Sequence, residues 1–237
     1  MSIFKDCDIR GVYGPELDES TAYRLGRAVA TRLDGQSVVV AGDLRKSTPA
    51  LKSAIVDGLL ASGAEVIDLG IVPTPAFYFG KKRFRTAGGV MVTASHNPAK
   101  YNGFKLIFGD LPVTPEDLDA LAQQMSVGSY RDGRGACRQE DILEAYISSL
   151  LVAFPGLRPR PVVVDAGNGS LWWAGPAILR RASQVVHELY CTPDGAFPRR
   201  DPNPSVPEHL HDLTRQVVST GAALGVAAET RKMKWGD

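Results

Sequence analysis

The run Ser37-Val38-Val39-Val40-Ala41 constrains the fold more than any other stretch of the chain. After the serine it stays apolar at every position, whereas a strand with one wet face alternates apolar and polar residues. Such a run is a strand buried on both faces, which calls for a largely parallel sheet with helices above and below it. The flanking sequence agrees. Upstream, Ala22, Leu25, Val29 and Leu33 recur at helical spacing within residues 20–33, with Ser20 placed as N-cap. Downstream, the loop Gly42-Asp43-Leu44-Arg45-Lys46-Ser47-Thr48 leads into a helix with Thr48 at the N-cap and Pro49 at the first helical position. That helix carries Ala54, Ile55, Gly58, Leu59 and Ser62 before Gly63 ends it, and a strand follows at residues 65–69. Strand, helix and strand in succession predict three-layer αβα domains around a mixed, mainly parallel sheet.

After a proline-marked connection at residues 71–75 and a helix near 76–82, the chain reads GGVMVTASHNPAKYNGFK from Gly88 to Lys105. Val90-Met91-Val92-Thr93 is a buried strand by composition, and Ser95-His96-Asn97-Pro98 is turn chemistry. Ser95 is therefore expected on a sharp loop at the carboxyl end of a strand, where open α/β sheets place their ligands. A second turn, Tyr101-Asn102-Gly103, is expected to lead into a strand at residues 104–108 whose one charged member is Lys105. A nucleophilic serine needs a base or an electrophile held in line. His96 is a poor base on this reading, since neighbouring side chains in an extended segment point to opposite faces. The glycine-flanked elbow of serine hydrolases is missing too, because Thr93 and Asn97 occupy its glycine positions. A hydroxyl that carries a phosphoryl group, countered by a metal ion and nearby cations, fits better.

Bulk properties remove several function classes. The 237 residues suffice for one large or two ordinary domains. A polar, glycine-rich stretch at 126–136 is the linker candidate, which places the domains at residues 1–136 and 137–237. A net charge of +1 gives no electrostatic case for nucleic acid or an anionic membrane. Cys7, Cys137 and Cys191 are odd in number and far apart, which argues against a disulfide framework or zinc site and suits a reducing cytoplasm. No apolar run is long enough for a bilayer, and Lys5, Asp6, Asp8 and Arg10 interrupt any signal peptide, so a cytoplasmic protein is expected. The second domain continues the α/β pattern with a helix at 140–154 and strands at 161–165, 185–190 and 222–227. His209 and His211 do not share a helical face and read as surface residues. No G-x-G-x-x-G stretch occurs, which removes a nicotinamide enzyme.

Thr93-Ala94-Ser95-His96-Asn97-Pro98 with Tyr101-Asn102-Gly103-Phe104-Lys105 strongly resembles the active-site loop of the α-D-phosphohexomutases, the family of phosphomannomutase and phosphoglucomutase. Phe4-Lys5-Asp6-Cys7-Asp8-Ile9-Arg10-Gly11 and Gly42-Asp43-Leu44-Arg45 agree with it, and the loop Ala166-Gly167-Asn168-Gly169-Ser170 resembles a further family motif or is simply a tight turn. By themselves, residues 4–14 are either an edge strand leading to a loop that projects Arg10 or a solvated arm. The resemblance implies Ser95 as phosphoryl carrier, Lys105 as general acid/base with its proton affinity lowered by cations such as Arg10, and Arg10 at the reacting phosphate. It also implies that His96 and Asn97 shape the loop and bind the phosphate, and that Arg45 supports it. The implied reaction interconverts hexose 1- and 6-phosphates through a bisphosphate, with Mg2+ on the seryl phosphate and hexose 1,6-bisphosphate as activator.

The likeness stops after Ala227. There the family carries an aspartate-rich metal loop, D-G-D-G-D-R, and this chain reads Ala228-Glu229-Thr230-Arg231-Lys232-Met233-Lys234-Trp235-Gly236-Asp237. Glu229 and Asp237 do not reproduce an octahedral oxygen site. Two of the family's four domains are thus expected, the second incomplete before the metal loop, and the rival to a working mutase is a catalytically inactive fragment of one. A serine hydrolase is a third, disfavoured reading.

Overall fold

The computed structural model describes residues 3–156, 158–182 and 184–227. Two units emerge: Met1–Ala94 with Lys100–Asp141, and Ser95–Ala99 with Ile142–Asp237. The first contains β1 (Ile9–Val12), α1 (Glu19–Arg32), β2 (Val38–Gly42), α2 (Thr48–Ala61), β3 (Val66–Ile71), α3 (Thr74–Phe84), β4 (Gly88–Val92), β5 (Tyr101–Phe108), β6 (Leu111–Pro112), α4 (Pro115–Val127) and β7 (Cys137–Gln139). Its sheet runs β1-β5-β4-β2-β3-β7, with β6 paired to β5. β4, β2, β3 and β7 are mutually parallel, while β5 is antiparallel to β4, β1 and β6. The expected mixed sheet between helical layers is what forms.

The valine run explains the layering. Every residue of β2 and of β4 is buried. Val38, Val40, Val90 and Val92 join Phe104 and Leu106 in one core with Leu25 and Val29 of α1, Ile55 and Leu59 of α2, and Leu118 and Leu121 of α4. On the other face the fully buried Phe77 of α3 lies over Gly89, where a methyl group would sit 2.8 Å from its ring. Helices α1 and α2 approach through glycines: a Cβ on Gly26 would lie 2.3 Å from the Ile55 carbonyl, and one on Gly58 2.1 Å from that of Tyr23.

Several local details differ from the sequence expectation. Asp18, not Ser20, caps α1, its carboxylate accepting from the Thr21 N–H at 2.8 Å. Thr48 lies inside α2 with Ser47 before it, because the Thr48 hydroxyl is directed to Asp43. Tyr101-Asn102-Gly103 is not a turn but the start of β5, drawn into the ladder by β1. Gly103 faces Arg10 there, and a Cβ on it would meet the Ile9 carbonyl at 2.1 Å. Arg10 accordingly sits on the edge strand, not on a loop beyond it. The boundary expected at 136 also shifts, since Cys137–Gln139 adds a parallel strand to β3 and the first unit extends to Asp141. Thr114 caps α4, completed as a capping box by Asp117.

The second unit holds α5 (Leu143–Ala153), β8 (Pro161–Asp165), α6 (Ala174–Arg181), β9 (Val185–Leu189), a 3-10 turn at Pro207–Leu210, α7 (His211–Thr220) and β10 (Leu224–Ala227). Its sheet is parallel throughout, in the order β10-β8-β9. The turn after β8 is held by a buried pair, Arg200 Nε to Asp165 Oδ2 at 2.7 Å, and by the Gly167 N–H donating to Asp165 at 2.8 Å. Among the described residues no helix is long and apolar enough to cross a membrane. Residues 228–237, where the sequence departs from the family's aspartate-rich loop, lie outside the described residues.

Candidate functional site

Buried polar groups of the first unit gather at the carboxyl ends of β2 and β4. The Asp43 carboxylate accepts at Oδ1 from the Arg45 N–H (3.0 Å) and the Thr48 hydroxyl (2.7 Å). At Oδ2 it accepts from Arg45 Nε (3.1 Å) and the Thr93 hydroxyl (2.7 Å). Asn102 donates to Ser47 and Thr48 at 2.8 and 3.0 Å, extending the network to the start of β5. A buried ion pair is tolerated only when further hydrogen bonds satisfy its remaining atoms, and these do so for Asp43. The Arg45 side chain is fully buried, and desolvation pulls its pKa below the ordinary value, opposed by Asp43 and aided by the charge of Arg10. Its Nη1 donates to the Tyr101 carbonyl at 3.0 Å, so this arginine ties the loop after β2 to β5. Lys46, its neighbour, is exposed.

A second cluster is built on Asp8. Arg10 Nη2 lies 2.5 Å from Asp8 Oδ2, and Lys105 Nζ lies 3.5 Å from the same oxygen. Arg10 and Lys105 are therefore brought together, on neighbouring antiparallel strands, around one shared carboxylate. Two cations to one anion leave a surplus positive charge, and the buried Arg10 Nε has no hydrogen-bond partner among the described residues. This is an arrangement that can accept an anion. Lys105 thus has both the Asp8 carboxylate and, across it, the Arg10 guanidinium as neighbours.

The Thr93 N–H donates to the Gly103 carbonyl at 2.9 Å, so Thr93 extends β4 beside Gly103, the residue opposite Arg10. Two residues further along the chain is Ser95, buried, with φ of 54°. A serine in the left-handed region is uncommon and is held there by its surroundings. That conformation corrects the reading of His96. The segment is not extended at Ser95, and the Ser95 hydroxyl lies 3.3 Å from His96 Nδ1. The two side chains meet where an extended backbone would part them. Asn97 is half-buried in the same turn.

Asp8, Asp43, Thr93 and Asn102 received no role from sequence. A signal was present for two of them: Asp8-Ile9-Arg10 and Asp43-Leu44-Arg45 repeat one Asp-x-Arg spacing, and residues two apart in extended chain share a face. A resident magnesium ion, implied by the resemblance, finds no fit in the residues described. Among them no group of three or more His, Cys, Asp or Glu side chains is placed to hold a metal ion.

Comparison with known proteins adds to this geometry. Residues 1–131 match the profile of the phosphoglucomutase/phosphomannomutase alpha/beta/alpha domain I, and residues 144–230 that of domain II. A phosphomannomutase/phosphoglucomutase of Pseudomonas aeruginosa is 38% identical over 229 residues, covering 95% of this chain and 50% of that protein. A phosphomannomutase of Salmonella montevideo is 38% identical over 243 residues, covering 96% of this chain and 53% of that protein. The crystal structure of a phosphoglucomutase/phosphomannomutase family protein from Burkholderia thailandensis superposes with a TM-score of 0.91 at 34% identity, covering 96% of this chain and 52% of that one. The chain spans about half the length of the curated relatives it matches.

Proposed function

Because the chain belongs to the phosphoglucomutase/phosphomannomutase family, we propose that Ser95 is a phosphoryl carrier and that its substrate is a hexose phosphate. In the first half-reaction the Ser95 oxygen attacks a phosphorus of hexose 1,6-bisphosphate. The bond from phosphorus to the sugar oxygen breaks, the serine proton leaves, and the freed sugar oxygen takes up a proton. Lys105 is the residue assigned to that proton transfer, and Arg10 to binding the phosphoryl oxygens. His96 and Asn97 shape the turn, with His96 in contact with the hydroxyl. In a full mutase cycle the phosphorylated Ser95 would hand its group to the free hydroxyl of a hexose 1- or 6-phosphate. After the resulting bisphosphate reorients, the emptied serine would take up the other phosphoryl group, leaving the isomeric monophosphate.

The observation that carries this reading is the buried Ser95 in a left-handed turn, directly beyond the strand end that bonds to Gly103, the residue opposite Arg10. The test is incubation of the chain with labelled hexose 1,6-bisphosphate, followed by peptide mapping. One phosphoryl group is expected on Ser95, and Ser95→Ala is expected to abolish it; label retained by the variant disproves the assignment. Conversion of mannose or glucose 1-phosphate separates a complete mutase from the rival, a fragment that lacks turnover.

A further inference from the structure

We propose that Asp43 is a positioning residue for Ser95, acting through the hydroxyl of Thr93; the proposal rests on the reading of Ser95 as phosphoryl carrier. Three of the donors to Asp43 come from its own loop: the Arg45 N–H, Arg45 Nε and the Thr48 hydroxyl. They fix the carboxylate relative to β2. The Thr93 hydroxyl is the donor that arrives from β4, at 2.7 Å, so the end of β4 is registered against an anchored, buried group. The backbone repeats the tie, with the Asp43 N–H donating to the Val92 carbonyl at 3.0 Å and the Thr93 N–H to that of Gly103 at 2.9 Å.

Thr93 is thus clamped from two sides, and Ser95 departs from it into the left-handed region within two residues. Non-glycine residues there are disfavoured and persist only where the surroundings dictate the conformation. A phosphoryl carrier must also stand in line with its donor, and a shift of about 1 Å can cost about a hundredfold in rate. Asp43 supplies the fixed point from which that placement is measured. If the carboxylate served only to neutralise Arg45, the Thr93 hydroxyl would be dispensable.

Thr93→Val tests the proposal by removing one donor while leaving Asp43 with Arg45 and Thr48. Labelling of Ser95 by hexose 1,6-bisphosphate is expected to slow by at least about tenfold at saturation. The half-saturating concentration should stay unchanged and Thr93→Ser should restore the rate. Asp43→Asn is expected to slow labelling as well, and adding Thr93→Val to it should slow labelling no further, since both act through one contact. Wild-type labelling by Thr93→Val, or a double variant slower by the product of the single effects, overturns the proposal. If the unaltered chain takes no label, the functional reading falls by itself. Amide exchange of residues 94–97 then decides the inference: about tenfold faster exchange in Thr93→Val upholds it, and unchanged exchange overturns it.

Discussion

Asp8 is a carboxylate shared by two cations, and its removal has a sign that can be worked out. It lies almost buried, with Arg10 at 2.5 Å and Lys105 at 3.5 Å from one oxygen. Asp8→Asn leaves both cations facing an amide, so the local surplus rises by one positive charge. The variant is expected to be destabilised by about 1–3 kcal/mol for the loss of a charged, partly buried partner. It should also bind inorganic phosphate more tightly than the unaltered chain, with the gain shrinking as salt screens the field. Thermal denaturation with and without phosphate at low and high ionic strength checks both. Cys191 gives a pH-dependent counterpart. Its thiol contacts the Val164 and Leu189 carbonyls, and burial, with help from the charge of Glu188, pushes its pKa from 9.0 up to about 11. Folding keeps the proton on, so at pH 8 the reactive thiolate is roughly a hundredfold scarcer than in the unfolded chain. Iodoacetamide should alkylate Cys191 far more slowly in buffer than in urea, and stability associated with this group is lost between pH 9 and 11, where the unfolded thiol ionises first. At this scale the sequence was legible where a residue carries its own chemistry: Ser95, Arg10 and Lys105 could be named as candidates. It was not legible where the role is a contact between distant segments, as for Thr93 with Asp43, fifty positions apart.

Secondary-structure elements follow the same division. β2 and β4 could be read because continuous apolar runs have few other homes, and both are buried at every position. β7 could not, because Cys137-Arg138-Gln139 is exposed along its length and becomes a strand only through its pairing with β3. The start of β5 was hidden for a related reason. Asn-Gly is turn chemistry in isolation, and only pairing with β1 holds it extended. The contact of α1 with α2 shows how much a single hydrogen atom can decide. Gly58 presents its Cα to the Tyr23 carbonyl, and a methyl group there would lie 2.1 Å from that oxygen. Alanine is the better helix former by up to about 1 kcal/mol, so an exposed helix would gain from the change. Here overpacking against backbone outweighs the gain, since neither helix can yield without moving its partner. Gly58→Ala is expected to lower stability by about 1–3 kcal/mol, read as a drop in the urea midpoint with an unchanged slope. A variant as stable as the parent would show that the helices separate freely.

On the scale of the whole molecule the two units differ in how completely their apolar surface is covered. The continuous core joins Ile9 through Met125 and belongs to the first unit. In the second, Val152, Phe154, Trp172, Trp173, Val185, Val218, Leu224 and Val226 remain exposed, and buried apolar residues are concentrated in β8. Apolar area removed from water is the main favourable term in folding, at roughly 25 cal/mol per Å2, so the second unit holds the smaller share of stabilisation. Unfolding is then expected in two steps, as units of unequal stability do not share one transition. The chain reports on this by its own composition, because its three tryptophans, Trp172, Trp173 and Trp235, all lie after Asp141. The fluorescence of Trp172 and Trp173 therefore follows the second unit, while far-ultraviolet circular dichroism is weighted toward the first, which carries the longest described helices, α1 and α2. The fluorescence transition should come at lower urea than the dichroism transition, and amides of β9 and β10 should exchange before those of β2 and β4. Coincident transitions would mean that the apolar residues exposed in the second unit do not weaken it, and that the two units fold as one.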